Sequence, residues 1–288
     1  MLDLADIKLV ASDLDGTLVT GGYNEAALSE RSIGVLKALE KQGVQIVLAS
    51  GRPPRAMVPV LDLVDLDHPI ALCCNGAIVL DHKEKNIKRS FAIEPEHVIK
   101  IVSEVKRELG DSVCFGVESG MRFRCEPGYA RFRGADNMNH PYDTVASLEE
   151  FADEPVEKIV ILHTSWHAAT LHGHLDQHVF NDASWKDVLH NTYSNPFFIE
   201  ISATGVSKGA TLAQIAQDMS VPREQIIAFG DMPNDIQMLQ FAGIGVAMEN
   251  AEDQVKQAAV HIADTNVNHG VAQILEDMLA QKNKDRLN

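Results

Sequence analysis

Hydrophobic and polar positions alternate along this chain in two rhythms. The first begins with a short apolar run, Lys8-Leu9-Val10-Ala11-Ser12, which ends in a cluster of carboxylates and glycine. Residues 29–43 then follow a helical period, with Ser29 as cap, Ile33, Leu36 and Leu39 on one face and Gly43 as the stop. A buried strand at 45–49 leads through Ser50-Gly51-Arg52-Pro53-Pro54 into a weaker helix that contains Pro59. A third strand, 70–74, closes on Asn75-Gly76. Strands separated by helices at this spacing predict βαβ units and a parallel sheet.

The second rhythm starts near residue 84. Strands at 90–93, 113–118, 121–125, 156–162 and 197–202, with helices at 95–109 and 167–180, predict hairpins followed by a helix. That is the pattern of an α+β insert with an antiparallel sheet. From Lys208 the first rhythm resumes with helix 208–219, strand 226–229, helix 234–242, strand 245–248 and a last helix 270–282. The tail 282–288 is expected to fray. The predicted fold is therefore α/β, a discontinuous Rossmann-like parallel sheet core with helices on both faces (1–83 and 195–288), interrupted by an inserted α+β domain (84–194). With 288 residues the chain is long enough for two cores.

Charge narrows the function. Lys+Arg 25 against Asp+Glu 41 gives a net charge of -16 and a pI near 5.1. Such a surface repels a phosphate backbone, so no nucleic-acid partner is expected, and a small anionic substrate needs a local concentration of cations. No apolar run approaches the ~18–20 residues of a membrane helix. The start Met1-Leu2-Asp3-Leu4-Ala5-Asp6 is acidic at once, unlike a signal peptide. A cytoplasmic protein without membrane contact, monomeric or homodimeric, is the expectation. Cys73, Cys74, Cys114 and Cys125 form no Cys-x-x-Cys pair and are expected to be reduced thiols.

Four turns carry the chemistry. Asp13-Leu14-Asp15-Gly16-Thr17 follows the first strand, where open α/β sheets place their ligands, although a solvated acidic turn would look the same. Gly230-Asp231-Met232-Pro233-Asn234-Asp235 repeats the arrangement after a later strand, and could equally be a helix cap. Together they bring up to four carboxylates to one sheet edge. Like charges so close raise one another's pKa, and a divalent cation relieves the conflict; an all-oxygen site suits magnesium. Lys208, in Gly205-Val206-Ser207-Lys208-Gly209, would neutralise a phosphoryl group if it reached that edge. Ser50-Gly51-Arg52 offers a hydroxyl and N–H groups to phosphate oxygens, or is a plain turn.

In chain order, Asp13 to Thr17, Ser50 to Pro53, Asn75-Gly76-Ala77, Gly205 to Gly209 and Gly230 to Asp235, these turns resemble the haloacid dehalogenase superfamily, specifically its Cof-type phosphatases with a type IIB cap. The resemblance implies a magnesium-dependent phosphatase for a small phosphorylated metabolite, a sugar phosphate first, working through an aspartyl-phosphate. It implies Asp13 as nucleophile and Asp15 as general acid/base. Ser50, Gly51, Lys208 and Asn234 would bind phosphate. Mg2+ would take Asp13, the Asp15 carbonyl and Asp231, with Asp235 near; Arg52, Asn75 and Gly76 would approach the substrate. The chain departs from the pattern at Glu249, where relatives often carry Gly, and at His269, where Asp is frequent.

The bottom-up chemistry agrees, since carboxylate attack splits hydrolysis into two steps and a second carboxylate moves the proton. A phosphomutase of the same superfamily, a receiver-like phospho-acceptor and a metabolite-binding protein are the alternatives. Two features of the insert stay open. His163, His167, His172, His174 and His178 are expected to form a polar helix face rather than a zinc site. Arg122 with Arg124, and Arg131 with Arg133, are each expected to share a strand face, solvated or turned to the distal part of a substrate.

Overall fold

The structure is a computed structural model and describes residues 3–20, 27–84, 86–133 and 141–285. Strands β1 Leu9–Asp13, β2 Gln45–Ala49, β3 Ile70–Cys73, β4 Ile78–Asp81 and β5 Asn86–Ser90 open the chain. Next come β6 Val113–Ser119, β7 Arg122–Cys125, β8 Asp143–Thr144, β9 Lys158–His163, β10 Leu189–Thr192 and β11 Phe198–Ala203. The last strands are β12 Ile226–Gly230, β13 Ile244–Met248 and β14 His261–Ala263.

Two sheets result. The first has the order β14-β13-β12-β1-β2-β3-β4-β5, parallel from β14 to β3 and antiparallel beyond. Its central strands are buried on both faces because helices cover both, which explains their continuous apolar runs. The helix Glu30–Lys41 shows how locally this is written. Ser29 accepts the N–H of Ser32 as its cap, Val35, Leu36 and Leu39 are buried, and Gly43 follows with positive φ. The expected Ile33 is only half-buried, and Val35 takes its place on the inner face.

The second sheet, β10-β11-β9-β6-β7-β8, is antiparallel except for the pair β7–β8. Phe115, Val117, Ile159, Ile161, Ile199 and Ile201 lie on one face and form a separate core with the helices Pro95–Leu109 and Ala168–His178. The opposite face carries Glu118, Lys158 and Glu200 toward the first sheet. The strands change sheet later than expected at both junctions. β5 keeps residues up to Ser90 in the first sheet and β11 keeps residues up to Ala203 in the second, beyond the expected divisions at 83/84 and 194/195.

Other expectations are corrected. The strand expected at 90–93 lies at Asn86–Ser90, an exposed edge strand with no apolar alternation to reveal it. Arg131 and Arg133 lie in the helix Pro127–Arg133, where an i, i+2 spacing does not share a face. The last helix continues to Asp285, and the expected frayed tail falls partly outside the described residues. All four cysteines are free and buried, and no described helix is long and apolar enough to cross a membrane.

The β3–β4 hairpin turns on Gly76, which has φ +94 and leaves so little room that an added Cβ would lie 2.6 Å from the Ser207 carbonyl. Gly76→Ala is therefore expected to destabilise the protein by about 1–3 kcal/mol in urea unfolding. A loss under about 0.5 kcal/mol would show that this turn does not constrain the Ser207 segment.

Candidate active site

The parallel register brings the chemistry to one edge. Ser12 lies beside Phe229 and Asp13 beside Ala49, so the chains leaving β1, β12 and β2 emerge together as Asp13, Asp231 and Ser50. This is the carboxyl end of the sheet, where helices turn away and a ligand can enter.

Lys208 is the organising residue. Ser207 caps its helix by accepting the Ala210 N–H, and the fully buried Lys208 Nζ sits 2.6 Å from Asp13 Oδ1 and 2.7 Å from Asp235 Oδ1. Asp235 uses its other oxygen for the N–H groups of Asp231 (3.0 Å) and Met232 (3.1 Å). Both of its oxygens are thus engaged, and its place is to hold Lys208 and the 231–232 backbone. Thr17 donates to Asp231 Oδ1 at 2.9 Å. Gly16, at φ +89, lets the chain pass so close to Asp231 that a Cβ would lie 2.3 Å from Oδ2.

Asp15 is partly open, and Arg52 grips both its oxygens, with Nε–Oδ2 2.8 Å and Nη2–Oδ1 2.5 Å. Arg52, expected to approach substrate, is buried here and grips the Asp15 carboxylate. Ser50 Oγ accepts the Arg52 N–H at 3.1 Å, which shapes the 50–52 loop. Asn234 Nδ2 donates to Asn75 Oδ1 at 2.9 Å, so these two expected site residues are joined to each other. Gly76 supports the turn below them, its carbonyl accepting the Thr211 hydroxyl at 2.8 Å.

The second sheet closes over this edge. Lys158 Nζ reaches the Gly51 carbonyl at 2.6 Å and Glu200 Oε1 at 2.7 Å, while Arg55 bonds Glu118 at 2.5 and 3.1 Å. Tyr193 donates to Glu252 at 3.2 Å. Sequence reasoning missed Lys158, Glu200, Thr17 and Asn250, whose side chain donates to the Gly16 carbonyl at 2.8 Å. Charged residues inside otherwise apolar strands were the signal for Lys158 and Glu200.

The other candidates lie elsewhere. Arg122 pairs with Asp143 and Glu154, and Arg124 with Asp153, on the sheet face that turns away from the first sheet. Neither is placed to meet a substrate. His163 accepts the N–H groups of Ser165 and Trp166 and stacks on the Trp166 ring at 4.1 Å. Among the described residues the metal-competent grouping is Asp13, Asp231 and Asp235.

A family model described as haloacid dehalogenase-like hydrolase matches residues 10–275. A 5-amino-6-(5-phospho-D-ribitylamino)uracil phosphatase of Bacillus subtilis is 31% identical over 275 residues, covering 93% of this chain and 96% of its own. A pyridoxal phosphate phosphatase of Escherichia coli is 30% identical over 279 residues, 93% and 97%. The fold matches that of a subclass IIB sugar phosphatase with a TM-score of 0.76 at 22% identity, over 94% of this chain and 98% of that one.

The electrostatics suit a cation. Oxygens of Asp13, Asp231 and Asp235 lie within 4.8 Å of one another, three carboxylates against the one Lys208 ammonium. Burial, then Asp235, pushes the Asp231 carboxyl up to about 7, although Thr17 and Lys208 oppose this. Burial likewise raises Asp13 well above the usual carboxylate range, against the pull of Lys208. Burial works against the Lys208 charge, but Asp13 and Asp235 outweigh it and hold the ammonium above its usual value. Hard oxygen donors with excess negative charge fit a divalent cation such as magnesium.

A pH dependence follows. The folded Asp231 binds its proton more tightly than the unfolded chain does, so metal-free stability falls as pH rises from about 4 to about 7. A cation takes the proton's place and must displace it below about 7. Magnesium is expected to raise the Tm more at pH 8 than at pH 6. An equal or larger rise at pH 6 would contradict this assignment of charge.

Proposed function

The chain belongs to the haloacid dehalogenase-like hydrolase family and is a phosphatase, and from that premise we propose a magnesium-dependent enzyme that releases phosphate from a small metabolite through an aspartyl-phosphate on Asp13. The observation that carries this reading is the buried Lys208 ammonium, bonded to Asp13 at the mouth of the sheet with Asp15 two residues on. It opposes the burial that raises the Asp13 carboxyl, and so favours the ionised form that a nucleophile needs.

Asp13 attacks phosphorus through a carboxylate oxygen, forming an Asp13–O–P bond as the ester P–O bond breaks. Asp15 gives its proton to the departing alkoxide, which is a poor leaving group without it. It then takes a proton from the water that attacks the acyl phosphate, and phosphate leaves with Asp13 restored. Lys208 and Ser50, with the Gly51 N–H, hold the phosphoryl oxygens. Arg52 fixes the carboxylate plane of Asp15. Asp13, Asp231 and the Asp15 carbonyl would hold magnesium, which would supply positive charge to the transferring phosphoryl group.

A sugar or polyol phosphate is the substrate class we favour. Two of the three similar proteins carry a sugar or ribityl phosphate in their names, and the third, a pyridoxal phosphate phosphatase, widens the class to phosphorylated cofactors. The free thiols are in keeping with a cytoplasmic site of action.

Phosphate release from 4-nitrophenyl phosphate with and without magnesium is the first test. Asp13→Asn is expected to lower kcat by more than a thousandfold, since an amide cannot form the acyl phosphate. Retention of a tenth of the rate, a deficit of only ~1.4 kcal/mol, would remove Asp13 as nucleophile. Asp231→Ala is expected to raise the magnesium concentration for half-maximal rate at least tenfold, with partial recovery in excess metal. An unchanged magnesium dependence would take Asp231 off the ligand set.

A further inference from the structure

Glu200 has an unusual position. It is 1% exposed, its Oε1 accepts from Lys158, and its Oε2 has no hydrogen-bond partner among the described residues. A buried carboxylate oxygen with no donor is costly, because the water it gave up has not been replaced. It also lies beside Gly51, at the edge that carries Asp13 and Ser50. A Cβ added to Gly51 would come within 2.9 Å of Ser194 Oγ, 3.1 Å of Glu200 Oε1 and 3.2 Å of Asn75 Oδ1. These three groups therefore converge on the residue after Ser50. Asn234 Oδ1, bonded through its amide to Asn75, is a second buried oxygen without a donor in the same shell.

Both orphans are acceptors, so the partner must be a donor. The phosphate dianion has no proton to give and would be repelled by a carboxylate. Lys158 already balances the charge of Glu200, which favours a neutral donor over a cation. Resting on the phosphatase reading, we propose that Glu200, held in place by Lys158, is a specificity-determining residue that accepts a hydrogen bond from a hydroxyl on the leaving alcohol close to the ester. The substrate class is then a hydroxyl-bearing phosphate monoester. An alcohol without that hydroxyl leaves Glu200 Oε2 unpaired when the site closes, which is a strong basis for rejection.

The test compares two esters of equal length, glycerol 1-phosphate and n-propyl phosphate. Wild-type enzyme is expected to favour glycerol 1-phosphate by at least tenfold in kcat/KM. In Glu200→Gln that preference is expected to fall at least fivefold, because a neutral amide is the weaker acceptor. Glu200→Asp, which keeps the charge facing Lys158 but withdraws the oxygen, is expected to lose it similarly. The preference is a ratio measured on one preparation, so a reduced folded fraction cancels, and a merely structural role would slow both esters alike. A wild-type preference near one, or the same preference in the wild type and both variants, would overturn the proposal while leaving the phosphatase standing. No phosphate from either ester or from 4-nitrophenyl phosphate would instead strike the phosphatase reading, and this inference with it.

Discussion

One ammonium without access to water, Lys208 between Asp13 and Asp235, sets the terms for the rest of this site. Burying a lysine is unfavourable unless its charge is met by carboxylates at hydrogen-bond distance, and both partners here are buried as well. The Ser207 cap, the Gly76 turn beneath it and the N–H groups that hold Asp235 all serve to keep that geometry. Lys208 neutralises only part of the negative charge that converges there. Burial first, and then the negative charge that remains, raises Asp13 and Asp231.

The second sheet completes the site by covering it. Its apolar face is used up against its own helices, so the face it presents to the first sheet can carry charge. Lys158 reaches the Gly51 carbonyl beside Ser50, and Arg55–Glu118 and Tyr193–Glu252 tie the two parts at either side. Burial of Asp13 under this cover excludes bulk water and strengthens each charge interaction inside. Burial of Lys158 is opposed by Glu200 first, which holds its ammonium charged and above its usual value.

The core of the site was legible because its residues come in short turns at strand ends. Asp13-Leu14-Asp15-Gly16, Ser50-Gly51 and Lys208 each combine an apolar strand or a helix cap with polar groups at a fixed offset. What was hidden depends on distance in sequence. Lys158 and Glu200 are 42 residues apart and meet only through the strand order β11–β9. Arg52 reads as a substrate group until its partner Asp15, 37 residues earlier, is seen in space. The strand β4 had a local signal, an Asn-Gly turn followed by Ile78-Val79-Leu80, which the α/β rhythm masked. The arginine pairs misled because one of the two stretches is a helix and the other faces the wrong way.

The central claim is that Asp13 becomes phosphorylated and that Asp15 then activates water. The two steps separate with 4-nitrophenyl phosphate, whose leaving group needs no proton, in an Asp15→Ala variant. Rapid mixing with magnesium present is expected to give a burst of nitrophenolate equal to one per active site, followed by a slow phase. Mass spectrometry of the quenched protein is expected to find the phosphoryl group on the peptide that carries Asp13. A linear, burst-free release with Asp13 unmodified, or a phosphoryl group on any other residue, would contradict the account.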